Sequence, residues 1–119
     1  MASKKALPLS YVKFLNLVAA ARQLPGLPEI DAVEDQILGF LARSWYAGQR
    51  VTVLEAMNSL PDISPSTVQR RLKTLRAKGM LQMQADEYDS RFKYIESTDL
   101  ATRYFAALGQ CIHKAQAAR

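Results

Sequence analysis

The sequence predicts a mainly α chain carrying one small β-hairpin, and three observations lead there. Apolar residues recur at helical spacing through most of its length. Between about residues 81 and 96 the period changes to strict alternation around a polar turn. Helix start and stop signals (Thr52 with Glu55, Ser64-Pro65, Gly79) are packed closely enough to enclose short helices joined by a tight turn.

The first helix is expected over Leu9–Leu24. Its large apolar residues (Leu9, Tyr11, Val12, Phe14, Leu15, Leu17, Val18) cover most of the circumference. Such a helix needs cover on more than one side, and in a chain of 119 residues a second subunit is the expected source. Pro25-Gly26-Leu27-Pro28 then breaks the helix.

A second helix is expected from about Glu29 to Tyr46, with Ile30, Val33, Ile37, Leu38 and Leu41 facing inward. Glu29, Asp31, Glu34 and Asp35 fall in its first turns, where acids complement the helix dipole. Trp45 and Tyr46 close it as expected core residues, and Gly48 ends it. Thr52-Val53-Leu54-Glu55 matches a capping box. It opens a short third helix whose apolar side is Val53, Leu54, Met57 and Leu60, closed by Pro61-Asp62.

The next segment, Ile63–Leu81 (ISPSTVQRRLKTLRAKGML), is the most informative. Ser64 is a good N-cap, Pro65 suits the first turn, and Gly79 stops the helix. Val68, Leu72 and Leu75 fall at i, i+4 and i+7 and form one narrow apolar stripe. With that stripe buried, Ser66, Gln69, Arg70, Lys73 and Ala77 point away from the core. Five cations (Arg70, Arg71, Lys73, Arg76, Lys78) and no acid stand on the segment. A run of charge is commonly just a solvated face, but one with no acid to repel phosphate also suits a DNA major groove.

Leu81 and Met83 alternate with Gln82 and Gln84, and after Asp86-Glu87-Tyr88-Asp89-Ser90 the residues Phe92 and Tyr94 alternate with Arg91 and Lys93. That is the hairpin. Ser97-Thr98-Asp99 starts a last helix with Leu100, Tyr104, Leu108, Cys111 and Ala115 in one stripe. Phe105 and Ile112 form a second line beside it, again more apolar surface than one contact uses.

The length allows one domain, residues 1–119, with one hydrophobic core. Net charge is +5 and the sequence pI about 9.6, which admits an anionic partner without choosing between nucleic acid, acidic lipid and none. The single Cys111 excludes an internal disulfide and fits a reducing, cytoplasmic compartment. No apolar run approaches the roughly 20 residues of a bilayer span, so no membrane partner is expected. The N-terminus faintly imitates a signal peptide, but Pro8 and Lys13 interrupt its apolar core. His113 and Cys111 stand two apart on different helix faces, so neither a metal site nor a cofactor is expected. There is no Gly-rich phosphate loop, and the lone His113 has no Ser or Asp placed to orient it. No catalytic residues are assigned, and the chain is read as a non-enzyme.

In order, then, come helix, helix, short helix, tight turn, basic helix, hairpin and helix. The middle of this series is a helix-turn-helix followed by a β-wing, in which the second helix of the pair enters the major groove. Over about Pro28–Arg103 the sequence resembles the MarR-like winged-helix transcription regulators. The likeness rests on Thr52-Val53-Leu54-Glu55-Ala56, on Ser64-Pro65-Ser66-Thr67-Val68 with Arg70, and on Leu75-Arg76-Ala77-Lys78-Gly79-Met80-Leu81. The wing residues Asp86-Glu87-Tyr88-Asp89-Ser90-Arg91 and Thr98 complete it.

The resemblance implies a homodimer on a pseudo-palindromic operator in double-stranded DNA. Residues 1–27 and 98–119 would be dimerisation helices around a winged helix-turn-helix core at 28–97. The dimer interface would use Tyr11, Phe14, Leu15, Val18, Tyr104, Leu108, Cys111 and Ile112. Recognition would fall to Ser66, Thr67, Gln69, Arg70 and Lys73. Backbone or wing contacts would come from Arg50, Thr52, Arg71, Arg76, Arg91 and Lys93. Two departures stand out. Ser90 replaces the first of two wing arginines, and Met83 and Gln84 replace basic residues of the first wing strand. Arg91 therefore either reaches the minor groove or pairs with Asp86 or Asp89 to hold the turn. A small-molecule effector, if there is one, is not named by the sequence. Two rival readings are a protein-interaction module and a DNA-binding part of plasmid or phage replication or maintenance.

Overall fold

In a computed structural model, residues 6–117 are described. They form α1 (Ala6–Ala21), α2 (Ala32–Tyr46), β1 (Val51–Thr52), α3 (Val53–Met57), α4 (Pro65–Ala77), β2 (Leu81–Ala85), β3 (Lys93–Ser97) and α5 (Asp99–Ala117). The fold is mainly helical with a three-stranded antiparallel sheet in the order β1-β3-β2. It is a winged helix-turn-helix: α3 and α4 are the helix pair and β2–β3 the wing. The chain divides into two compact units, Met1–Glu29 with Thr102–Arg119, and Ile30–Ala101.

The Ile30–Ala101 unit holds the helix-turn-helix. Its core is made by Ile37, Leu38 and Leu41 of α2, Ala56 of α3, Val68, Leu72 and Leu75 of α4, and Met80, Leu81 and Ile95 around the wing. The predicted stripe of α4 is thus buried along its whole length. Gly79 follows α4 with φ at +80°, a left-handed conformation that suits glycine at a helix stop. Its carbonyl accepts a hydrogen bond from Thr98 Oγ1 at 2.7 Å, and the same hydroxyl oxygen accepts from the Ala101 amide at 3.1 Å. One threonine therefore ties the end of α4 to the start of α5.

Several expectations are corrected. The second helix begins at Ala32, because Asp31 is its N-cap and Glu29 and Ile30 precede it. Only Glu34 and Asp35 occupy its first turn. Tyr46 is exposed rather than core, and Trp45 is half-buried with its indole N–H donating to the Ile95 carbonyl at 3.0 Å. Ala56 rather than Leu54 is the buried residue of α3, since the helix is only five residues long and Leu54 lies on its outer side. In the wing the inward residue is Ile95, paired with Val51 on one side and Met83 on the other. Phe92 sits before β3, where its amide donates to the Asp89 carbonyl in the turn, and it is exposed. Strand β1 went unpredicted because two residues are too few to show alternation.

In the other unit, α1 leaves Leu7, Leu9, Tyr11, Val12 and Leu15 exposed and buries only Ala21. Along α5, Tyr104 and Cys111 are buried while Ile112 is exposed. Among the described residues no helix is long and apolar enough to cross a membrane. No group of three His, Cys, Asp or Glu side chains among them is placed to hold a metal ion.

Candidate nucleic-acid interface

Helix α4 opens on Ser64, whose Oγ accepts a hydrogen bond from the Thr67 amide at 3.2 Å, with Pro65 at the first helical position. The same Oγ donates to Thr67 Oγ1 at 2.8 Å. Thr67 Oγ1 in turn accepts from Nη2 of Arg70 at 3.3 Å. This hydroxyl chain holds a guanidinium against the first turn of the helix. Ser66, Gln69, Arg70, Lys73, Arg76 and Ala77 are all exposed, and Thr67 is half-buried. Among the described residues Arg70, Lys73 and Arg76 form no ion pair with an acid. The outer face of α4 is therefore a field of uncompensated positive charge with hydroxyl and amide groups at its N-terminal end.

The other two cations of the run are engaged inside the unit. Arg71 Nη1 lies 3.1 Å from Asp31 Oδ2, and Lys78 Nζ lies 2.7 Å from Glu34 Oε1. Glu34 is almost fully buried and also closes the capping box of α2, accepting from the Asp31 amide at 2.9 Å. Both acids of that box thus reach across to α4. Sequence reading missed this pairing, although the Asp31-x-x-Glu34 spacing marks both residues as capping groups.

Around the wing, the predicted contact residues other than Lys93 also have partners. Arg91 forms a fork on Asp89, Nε to Oδ1 at 3.0 Å and Nη2 to Oδ2 at 2.8 Å. Its side-chain hydrogen bonds, followed by its amide, hold the Asp89 carboxyl below the usual aspartate value. The carboxylate in turn raises the guanidinium's affinity for its proton. Asp86 accepts from the Tyr88 and Asp89 amides at 3.0 and 2.9 Å and closes the turn. Arg50 stacks on the Tyr94 ring at 3.6 Å and pairs with Glu96 at 3.7 Å. The capping box of α3 is closed by the Glu55 amide donating to Thr52 Oγ1 and the Thr52 amide donating to Glu55 Oε1, each at 3.1 Å, and the Thr52 hydroxyl also donates to that carboxylate at 2.9 Å. Lys93 is exposed and forms no ion pair among the described residues.

Between α3, α4 and the wing lies a groove of about 430 Å³. Its lining includes the apolar Leu54, Met57, Leu72, Met83 and Phe92 and the cations Lys73, Arg76, Arg91 and Lys93, without an acid. In the other unit a cleft of about 450 Å³ brings together Leu7, Tyr11, Phe14 and Ile112 from α1 and α5. Of the residues assigned to a dimer face, Tyr11, Leu15 and Ile112 are exposed, and Phe14, Val18 and Leu108 are half-buried. Tyr104 and Cys111 are already buried within one chain, which leaves them little surface to give to a second.

No protein-family model matches the chain, and no curated protein matches it. Solved structures do. The adhesin competence repressor AdcR of Streptococcus pyogenes aligns at TM-score 0.55 and 23% identity, over 97% of this chain and 76% of that one. MepR of S. aureus, solved as a DNA complex, aligns at TM-score 0.62 and 18% identity, over 93% and 79%. The heme sensor protein PefR of Streptococcus agalactiae, solved with heme, aligns at TM-score 0.61 and 17% identity, over 92% and 71%. At these identities the likeness is one of fold, and it spans nearly the whole chain. The protein has the MarR-like winged helix-turn-helix fold.

Proposed function

We propose that the protein is a sequence-specific, double-stranded DNA-binding transcriptional regulator that acts as a homodimer on a pseudo-palindromic operator. The observation that carries this is the outer face of α4, where Arg70, Lys73 and Arg76 stand exposed and unpaired by acids on the second helix of a helix-turn-helix. A fold neighbour solved on DNA supports the same reading. Phosphate contacts by Lys73 and Arg76 give affinity, and Ser66, Thr67, Gln69 and Arg70 give sequence choice. Arg50, Thr52, Arg71 and Arg91, read as backbone or wing contacts, are held in place by the pairings described above. Lys93 is the wing cation left for phosphate.

Dimerisation falls to the exposed apolar residues of α1 with Ile112 of α5. Bound dimer acts by occupancy, blocking or recruiting polymerase, and no chemistry is assigned to the chain.

The test is fluorescence anisotropy on random-sequence duplexes across a salt series, followed by selection of tight binders. A steep loss of affinity with salt is expected, with enrichment of an inverted repeat whose half-sites lie about 10 bp apart. Absence of binding at low salt would remove this reading. It would favour the second one, a protein-docking winged helix, for which the wing arginine folded back on Asp89 is the supporting observation.

A further inference from the structure

Arginine reads guanine by presenting two parallel N–H groups to O6 and N7, so its value as a reader depends on where the guanidinium plane is held. A long exposed side chain is ordinarily free to rotate, and ordering it on binding is costly. Arg70 is different. It lies three residues after Thr67, hence on the same helix face, and its Nη2 donates to Thr67 Oγ1 at 3.3 Å. Thr67 is itself fixed, because it is half-buried, β-branched and held by the Ser64 hydroxyl at 2.8 Å. One N–H of the guanidinium is used in this tether, and four remain, enough for a bidentate edge. The tether draws the group toward the N-terminal turn of α4, the end of a recognition helix that meets base edges. Among the described residues, Lys73 and Arg76, one and two turns further on, have no hydroxyl tether.

We infer that Thr67 is a positioning residue for specificity: it pre-orients Arg70 to read one guanine in each operator half-site. This rests on the DNA-binding reading above. Thr67 itself need not touch a base. Removing its hydroxyl frees the guanidinium to sample orientations that do not match a guanine edge, so discrimination falls while the number of phosphate contacts, and with it the salt slope, stays as it was.

The experiment selects operators from random DNA with the wild type, then measures binding of Thr67→Val, Thr67→Ser, Arg70→Ala and the Thr67→Val/Arg70→Ala double variant. Each is tested on the selected site and on four-base substitutions at every half-site position. Arg70→Ala should abolish preference for guanine at a single position. Thr67→Val should lower the preference at that same position by roughly three- to tenfold, the worth of one hydrogen bond, with an unchanged salt slope and thermal midpoint. Thr67→Ser should retain it, and the double variant should be no less selective than Arg70→Ala alone. Undiminished guanine preference in Thr67→Val, or a loss at a different position from that of Arg70→Ala, would overturn the inference while leaving the DNA-binding reading in place. Wild-type protein that fails to bind DNA at low salt would overturn both.

Discussion

Lys78 Nζ sits 2.7 and 2.9 Å from the two carboxylate oxygens of Glu34, joining the C-cap of α4 to the first turn of α2. The carboxylate is buried while the ammonium keeps 28% of its side-chain surface in water. Breaking such a pair from the lysine side leaves a buried charge with a lost partner. Lys78→Ala should therefore destabilise the fold by about 3 kcal/mol, the lower end for a buried pair, because water partly reaches the site. Arg71→Ala, which breaks a pair with both side chains 41% exposed, should cost less than about 1 kcal/mol. Urea denaturation of the two variants checks the contrast, and equal losses would contradict it.

Lys73→Ala should weaken binding to all DNA sequences alike and reduce the magnitude of the log–log salt slope by about 1 per protomer. Arg70→Ala should instead cost about 1–3 kcal/mol on the selected operator and little on random DNA. Titrations of both variants on operator and random duplexes at several salt concentrations separate the two roles.

Arg91→Ala should change DNA affinity little, because the guanidinium is committed to Asp89. Its effect belongs to the turn. The Asp89 carboxyl is held below its ordinary value of 3.8, chiefly by the Arg91 side chain. A carboxyl with a lower value folded than unfolded stabilises the turn above pH 3.8 and loses that contribution as pH falls through the folded value. The Asp89 carboxyl, followed through its side-chain carbon resonance, should therefore titrate below 3.8, and Arg91→Ala should move that transition upward. A transition that Arg91→Ala leaves in place would count against the fork.

Tyr11→Asp with Leu15→Asp should yield a folded monomer, seen as halved mass in sedimentation equilibrium with unchanged helicity. Half-site cooperativity on DNA should disappear with it. Conservative replacement of the buried Cys111, such as Cys111→Ala, should leave the dimer intact, since that side chain is covered within one chain. A dimer that survives the paired aspartates would move the interface elsewhere.

The basic helix was legible in the sequence to the residue. Cap, first-turn proline, stripe and stop are local signals, and Ser64, Pro65, Val68, Leu72, Leu75 and Gly79 all play those parts. What sequence reading missed are pairings across the chain. Glu34 and Lys78 are 44 residues apart, and their meeting depends on how α4 packs against α2, which no local period encodes. The same limit hid the partners of Arg50: Tyr94 and Glu96 arrive from β3, the strand paired with β1 but more than forty residues on in the chain. Alternation found the wing but began its second strand at Arg91, two residues before β3, because pattern alone does not fix where the turn ends and the strand begins.

The sheet order leaves β2 with one edge unpaired, and Leu81-Gln82-Met83-Gln84-Ala85 contains neither charge nor proline to discourage another strand from joining it. The nearest charged residues, Asp86 and Glu87, stand just past its end. In concentrated or partly unfolded protein, this edge offers a route to β-mediated aggregation. Purification and refolding are best done dilute, and a lysine at Gln84 should raise the concentration the protein tolerates.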